Sequence, residues 1–169
     1  MLQISWLVLG LVTVVGALGA RRSRRAYRLA LGALGALFLG AGAAANAAYL
    51  LLDRSYSTFA DASSFAFVRD TWASLVTPHE TFFIGMLVLF EATVGVLLLV
   101  GGRARQVALV LIAAFNVAVL AFSWWYAPWS VPMVVAVVLL LKAGRTWSVG
   151  VSPAPSSSRS AGPAATAPG

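Results

Sequence analysis

Residues 2–20, 29–52 and 106–141 carry no charged side chain, and between 81 and 102 the one charge is Glu91. Uncharged apolar runs of this length match the ~20 residues a helix needs to cross a bilayer, and a soluble domain has no use for so many of them. The deficit of charge constrains the chain more than its excess of apolar residues. Only 10% of the residues are charged, against about 25% in soluble domains. That is too little to clothe a soluble exterior. The chain therefore reads as an all-α, polytopic transmembrane helical bundle of one domain, with too little sequence outside the lipid for a separate soluble unit.

The net charge of +7 does not point to nucleic acid. The arginines sit in short runs between apolar segments, where they set membrane orientation. No cysteine is present, which excludes disulfides, thiolate chemistry and Cys-ligated metal. A single histidine, His79, leaves no His-rich metal site and no bis-His haem, so no metal site is expected.

Five spans follow. The first covers about 2–20, and its positive charges, Arg21, Arg22, Arg24, Arg25 and Arg28, come after the apolar run. A secretory signal has the reverse order, so the segment reads as a retained helix with its N-terminus outside. The second covers about 29–52, where Gly32, Ala36, Gly40, Ala44 and Ala48 recur at every fourth position. Such a ridge permits close helix approach and homo-oligomer contact.

Residues 53–77 form an outer loop. Within it Phe65, Val68, Trp72 and Leu75 fall at helical spacing after a start signal at Asp61 or Ser63. This predicts a short amphipathic helix at the lipid surface or across the end of the bundle. Thr77-Pro78-His79-Glu80 predicts the start of span three, with Thr77 and Glu80 as a capping box and proline at the first helical position. That span ends at Gly101-Gly102, a helix stop. Span four covers about 106–124, followed by the aromatic turn SWWYAPW as an interfacial belt. Span five, about 130–143, is short for a bilayer unless it begins earlier. The Pro/Ser/Ala/Gly-rich residues 152–169 predict a disordered cytoplasmic tail. With this topology every basic cluster between or after the spans falls on the cytoplasmic side, which gives a multi-pass protein of the cell membrane.

Glu91 lies near the middle of span three. A carboxylate there costs a few kcal/mol or more, so it must face the interior, find a partner or hold a proton. Counted back from the turn at 101–105, Glu91 and Asn116 lie at nearly equal depth, roughly 16–18 Å in. Asn116 is the expected partner, and Asn46, nearer the outer surface, is expected to bond helix to helix.

Phe90 to Gly101, FEATVGVLLLVG, followed by Arg103-Ala104-Arg105, resembles the signature segment of the DoxX-like family. That segment has an embedded Glu, a Gly four residues on, a second Gly ten residues after the Glu, then a basic turn, matched by Glu91, Gly95, Gly101 and Arg105. The resemblance implies a four-helix membrane core, here 28–143, with residues 1–20 as an extra N-terminal helix. It further implies a quinone- or lipid-interacting subunit of a membrane redox system, with Glu91 as intramembrane proton or ligand site and a soluble or membrane redox partner supplying electrons. Quinone is the one cofactor so implied, and the chain would be at most a non-catalytic or quinone-binding subunit of an oxidoreductase complex. A non-catalytic membrane scaffold or small-molecule transporter is the competing reading. A five-span tryptophan-rich ligand-binding protein of the translocator type fits the span count, but its Trp-Pro cluster follows span one instead of span four.

Overall fold

The computed structural model describes residues 2–149; the tail expected over 152–169 lies outside them. Among the described residues all regular structure is helical and no strand occurs. Five helices follow one another: α1 (Leu2–Gly19), α2 (Arg24–Leu51) and α3 (Ala66–Val100), α4 (Gly102–Val119) and α5 (Ala127–Val149). Four of the apolar helices are long enough to cross a membrane, and α1 is shorter.

Each helix packs on the one before it, and α5 packs back on α1. The five therefore close a ring. The first helix packs on both α2 and α5. Its residues divide by face. Ala17 and Thr13 are buried, whereas Ile4, Leu7, Leu11 and Leu18 are each more than half exposed.

The same inversion holds throughout. Leu89, Leu99, Val110 and Val131 point outward, while Glu91, Asn116, Thr13 and Ser130 are buried. An apolar exterior of this extent around a polar-dotted interior is what hydrocarbon solvent selects.

Several boundaries differ from expectation. Span five begins at Ala127 and runs 23 residues, so it is not short. A 3₁₀ turn over Trp124–Tyr126 leads into it, and Ser123 Oγ accepts a bond from the Trp125 N–H at 3.3 Å. Pro132 lies within this helix; the carbonyl left without its N–H partner is that of Pro128.

Span three does not begin at Thr77. The helix is continuous from Ala66, so the expected surface helix and the span are one element. Its winding passes from π over Trp72–Val76 to 3₁₀ over Thr77–His79 before becoming regular at Glu80. These changes of pitch let Pro78 sit inside a continuous helix. No cap is therefore needed at Thr77, and its Oγ1 is buried without a partner.

A second π segment, Leu37–Ala44, interrupts α2. Here the Ala45 N–H reaches back to the Gly40 carbonyl, five residues away, as π winding requires. Four residues of α-helix overshoot one turn by ~40°, and the wider π turns offset this drift. The ridge Gly32, Ala36, Gly40, Ala44 and Ala48 stays in line and lies on the exposed face of α2.

The α3–α4 hairpin closes on Gly101, whose φ of +89° and ψ of −169° fall where only glycine is unstrained. Arg105 then donates from Nε to the Leu98 carbonyl at 3.0 Å, tying the start of α4 to the end of α3. Gly101→Ala should cost about 1–3 kcal/mol in equilibrium unfolding from mixed micelles. Gly40→Ala, with open space around the added carbon, should be neutral or better in the same assay.

Candidate functional site

Inside the ring lies a cavity of about 290 Å³, to which all five helices contribute. Trp6 comes from α1, Phe38 and Asn46 from α2, Glu91 from α3, Asn116 from α4, and Trp129 from α5. Its walls are apolar and aromatic. Trp6 and Trp129 stack with ring centroids 3.3 Å apart, and Phe115 meets Phe38 edge-on at 6.0 Å.

The polar end is built from three residues. Asn46 donates from Nδ2 to Glu91 Oε2 at 2.8 Å, and the Tyr56 hydroxyl donates to Asn46 Oδ1 at 2.6 Å. Asn46 is thus the residue that pairs with Glu91. Asn116 is not: its amide donates to the carbonyl of Ile112, on its own helix, at 2.9 Å. Equal depth had fixed height but not rotation. Asn116 still lines the same cavity, and its amide keeps a second N–H and an oxygen for a ligand.

Gly42 explains how Glu91 fits. A Cβ on Gly42 would lie 2.8 Å from Glu91 Oε1, so a glycine in the π segment makes room for the carboxyl group. Gly95 serves the same crossing one turn below, because a Cβ there would lie 2.5 Å from Leu39 Cγ. Of the four motif residues, Glu91 lines the cavity, Gly95 admits α2, and Gly101 and Arg105 shape the distant turn.

A lid of aromatic residues covers the end of the cavity beside Asn46. Tyr56, Phe59, Trp72 and Tyr126 line it, and Phe122 packs against Phe59 and Trp72 at 5.2 and 5.4 Å. Glu80, expected as half of a capping box, instead anchors this lid. Its Oε2 accepts from Ser55 Oγ at 3.0 Å and its Oε1 from the Tyr56 N–H at 2.5 Å. Trp72 Nε1 donates to the Tyr56 carbonyl at 2.9 Å, and Ser63 Oγ to that of Ala121 at 2.8 Å. The loop is pinned at three places, and the pinning aims the Tyr56 hydroxyl at Asn46.

Sequence reasoning missed Tyr56, Trp6 and Phe38 as site residues. A lone tyrosine in a loop carries no periodic signal, and the two ring residues look like any other apolar helix position. Burial, with smaller contributions from Tyr49, Glu91 and Glu80, pushes the Tyr56 phenol from 10.0 up to about 12. It remains a neutral donor at every ordinary pH. Because the folded value is raised, the stability linked to this group is present below pH ~10 and is lost as pH climbs toward 12. In an alkaline titration followed by phenolate absorbance, Tyr56→Phe should remove a transition at about pH 12. If that transition stays, it belongs to another tyrosine.

No family model matches the chain, and neither a curated protein nor a solved structure shows significant similarity to it.

Proposed function

We propose that this is a five-span integral membrane protein of the DoxX-like kind that holds a quinone or a similar ring-headed lipid in the aromatic cavity, with Glu91 as its proton-exchanging group. Arginine-bearing turns face the cytoplasm, and the aromatic lid faces outward together with the N-terminus. The observation that carries the reading is the Tyr56–Asn46–Glu91 chain at one end of a cavity whose walls are mostly apolar and aromatic.

The cavity's volume, about 290 Å³, sits at the small end of ligand sites, which run roughly 300–1,000 Å³. It suits a ring head group and not a whole isoprenoid tail, which would leave between helices into lipid. Aromatic walls stack on a flat ring. Asn46 occupies Glu91 Oε2, so Oε1 can meet a ring carbonyl. Reduction of a quinone to a quinol takes two electrons and two protons. The two electrons come from a redox partner, since the chain contains no thiol; Glu91 passes one proton to a carbonyl oxygen, and the second proton, like the one that recharges Glu91, comes from the aqueous phase. Topology rests on charge asymmetry and on exposed Trp124, Trp125, Phe65 and Phe67 at the lid end.

Glu91→Gln keeps the shape and the bond from Asn46 but has no proton to exchange. It should abolish quinone-linked redox activity in native membranes, while a short-chain quinone still quenches the fluorescence of Trp6 and Trp129 and the purified protein stays monodisperse. Unchanged activity would leave the three residues as helix-to-helix packing and favour a scaffold.

A further inference from the structure

The opposite end of the bundle carries a second hollow, of about 400 Å³, between the start of α2 and the end of α3. Three arginines line it, Arg24, Arg28 and Arg105, above an apolar floor that includes Leu31, Leu98 and Leu99. The chain's five acidic residues are Asp53, Asp61, Asp70, Glu80 and Glu91, and none of them lines this hollow. Arg28 and Arg105 therefore converge there with no carboxylate side chain lining the space between them.

Their setting is ordered. The bond from Arg105 Nε to the Leu98 carbonyl holds that guanidinium in place where it lines the hollow. Tyr27 is 8% exposed and also lines the hollow. Its hydroxyl lies 2.9 Å from where a Cβ on Gly144 would be, so the glycine in α5 lets the phenol seat there. From the hollow an apolar strip continues along α3 over Leu99 and, one turn away, Val96, which are 62% and 50% exposed. Positive head, apolar floor and apolar strip match one kind of molecule.

We propose that this hollow binds the phosphate of an anionic phospholipid, with its acyl chains lying along Leu99 and Val96. A phosphate diester is the anion that arginine forks accept with two parallel bonds, and basic pockets between membrane helices recognise anionic head groups in this way. A free phosphate would satisfy the arginines but gain nothing from the apolar strip, which selects the lipid-borne form. The site is separate from the aromatic cavity and stands whether or not that cavity holds a quinone.

The test uses the full chain in neutral detergent, with phosphatidylglycerol, phosphatidylcholine and glycerol 3-phosphate added in turn, read by native mass spectrometry and thermal unfolding. Phosphatidylglycerol should be retained and should raise the unfolding temperature, with phosphatidylcholine and glycerol 3-phosphate without effect. Arg28→Gln with Arg105→Gln should weaken retention by about tenfold or more. Arg21→Gln with Arg22→Gln removes equal charge outside the hollow and should change it by less than about twofold. Gly32→Leu tests the same site without touching charge: Gly32 lines the hollow with nothing within 4 Å of an added Cβ, so a leucine fills the space and should displace the lipid. Should the double arginine variant not assemble, this variant decides. Equal loss in the Arg21/Arg22 control, equal retention of phosphatidylcholine, competition by glycerol 3-phosphate at lipid-like concentration, or full retention in Gly32→Leu would each overturn the proposal.

Discussion

Asn46→Leu is expected to lower the stability of the bundle by about 2–4 kcal/mol, the largest polar effect available in the chain. Asn46 is the middle member of a three-residue chain, donating to Glu91 and accepting from Tyr56. Leucine there orphans two groups at once. Each unmet buried polar group costs about 1–3 kcal/mol, and more if charged. Glu91 is 6% exposed and loses the donor that meets its Oε2. Tyr56 is held by its backbone to Glu80 and Trp72, so its hydroxyl cannot swing away without breaking the lid.

The pairing has a sharper signature than the single cost. Glu91→Leu alone should also destabilise, because Asn46 then keeps an unmet amide inside the ring. Replacing both partners with apolar groups of similar shape removes the unmet polarity, and such doubles can be nearly neutral. Asn46→Leu with Glu91→Leu should therefore be less damaged than the sum of the singles by about 0.5–3 kcal/mol, measured by equilibrium unfolding in mixed micelles. Strict additivity would show that the two side chains do not depend on one another. Asn116→Leu combined with Glu91→Leu should be additive, since Asn116 bonds within its own helix.

Much of the fold was open to reading because hydrocarbon leaves few choices. Uncharged runs separated by arginines fix where helices lie and how they alternate, and the ring of neighbours follows from short turns such as Ala20–Ser23. The embedded Glu91 was equally plain, since a carboxylate in such a run has no ordinary explanation. Its partner was not legible. The eight residues Leu37–Ala44 are wound as π-helix, and each π turn takes an extra residue. Everything after them is rotated on the order of 100° from where α-helical counting places it. Asn46 therefore turns inward to Glu91 on a face that the 3.6 period does not predict. Local pattern misled at Thr77-Pro78-His79-Glu80 for a related reason. The four residues satisfy every rule for a helix start, but the chain before them is already helical, held by Trp72 against the lid, so Glu80 is released to bind Ser55 and Tyr56.

Gly10→Val should be the most damaging change on an apolar surface. An added Cβ would lie 2.0 Å from one ring carbon of Trp129 and 2.4 Å from the next, well inside contact distance. The indole cannot slide aside, because Trp6, one turn earlier on α1, stacks against it with centroids 3.3 Å apart. Overpacking of this kind costs about 1–3 kcal/mol; with a rigid ring on one side and a helix backbone on the other, the upper end is expected. Relief requires α1 to draw away from α5, which opens the ring and removes one wall of the cavity. The variant should show lower unfolding stability, a shifted tryptophan emission and at least about tenfold weaker binding of any cavity ligand, about 1.4 kcal/mol. Gly40→Val is the matched control, since no atom lies within 4 Å of its added carbon. The comparison decides what α1 is for. If Gly10→Val behaves like the control, the tryptophan stack does not hold α1 to α5, and a four-helix core suffices for the site. If it collapses binding while Gly40→Val does not, the cavity needs all five helices, and the first helix belongs to the functional unit.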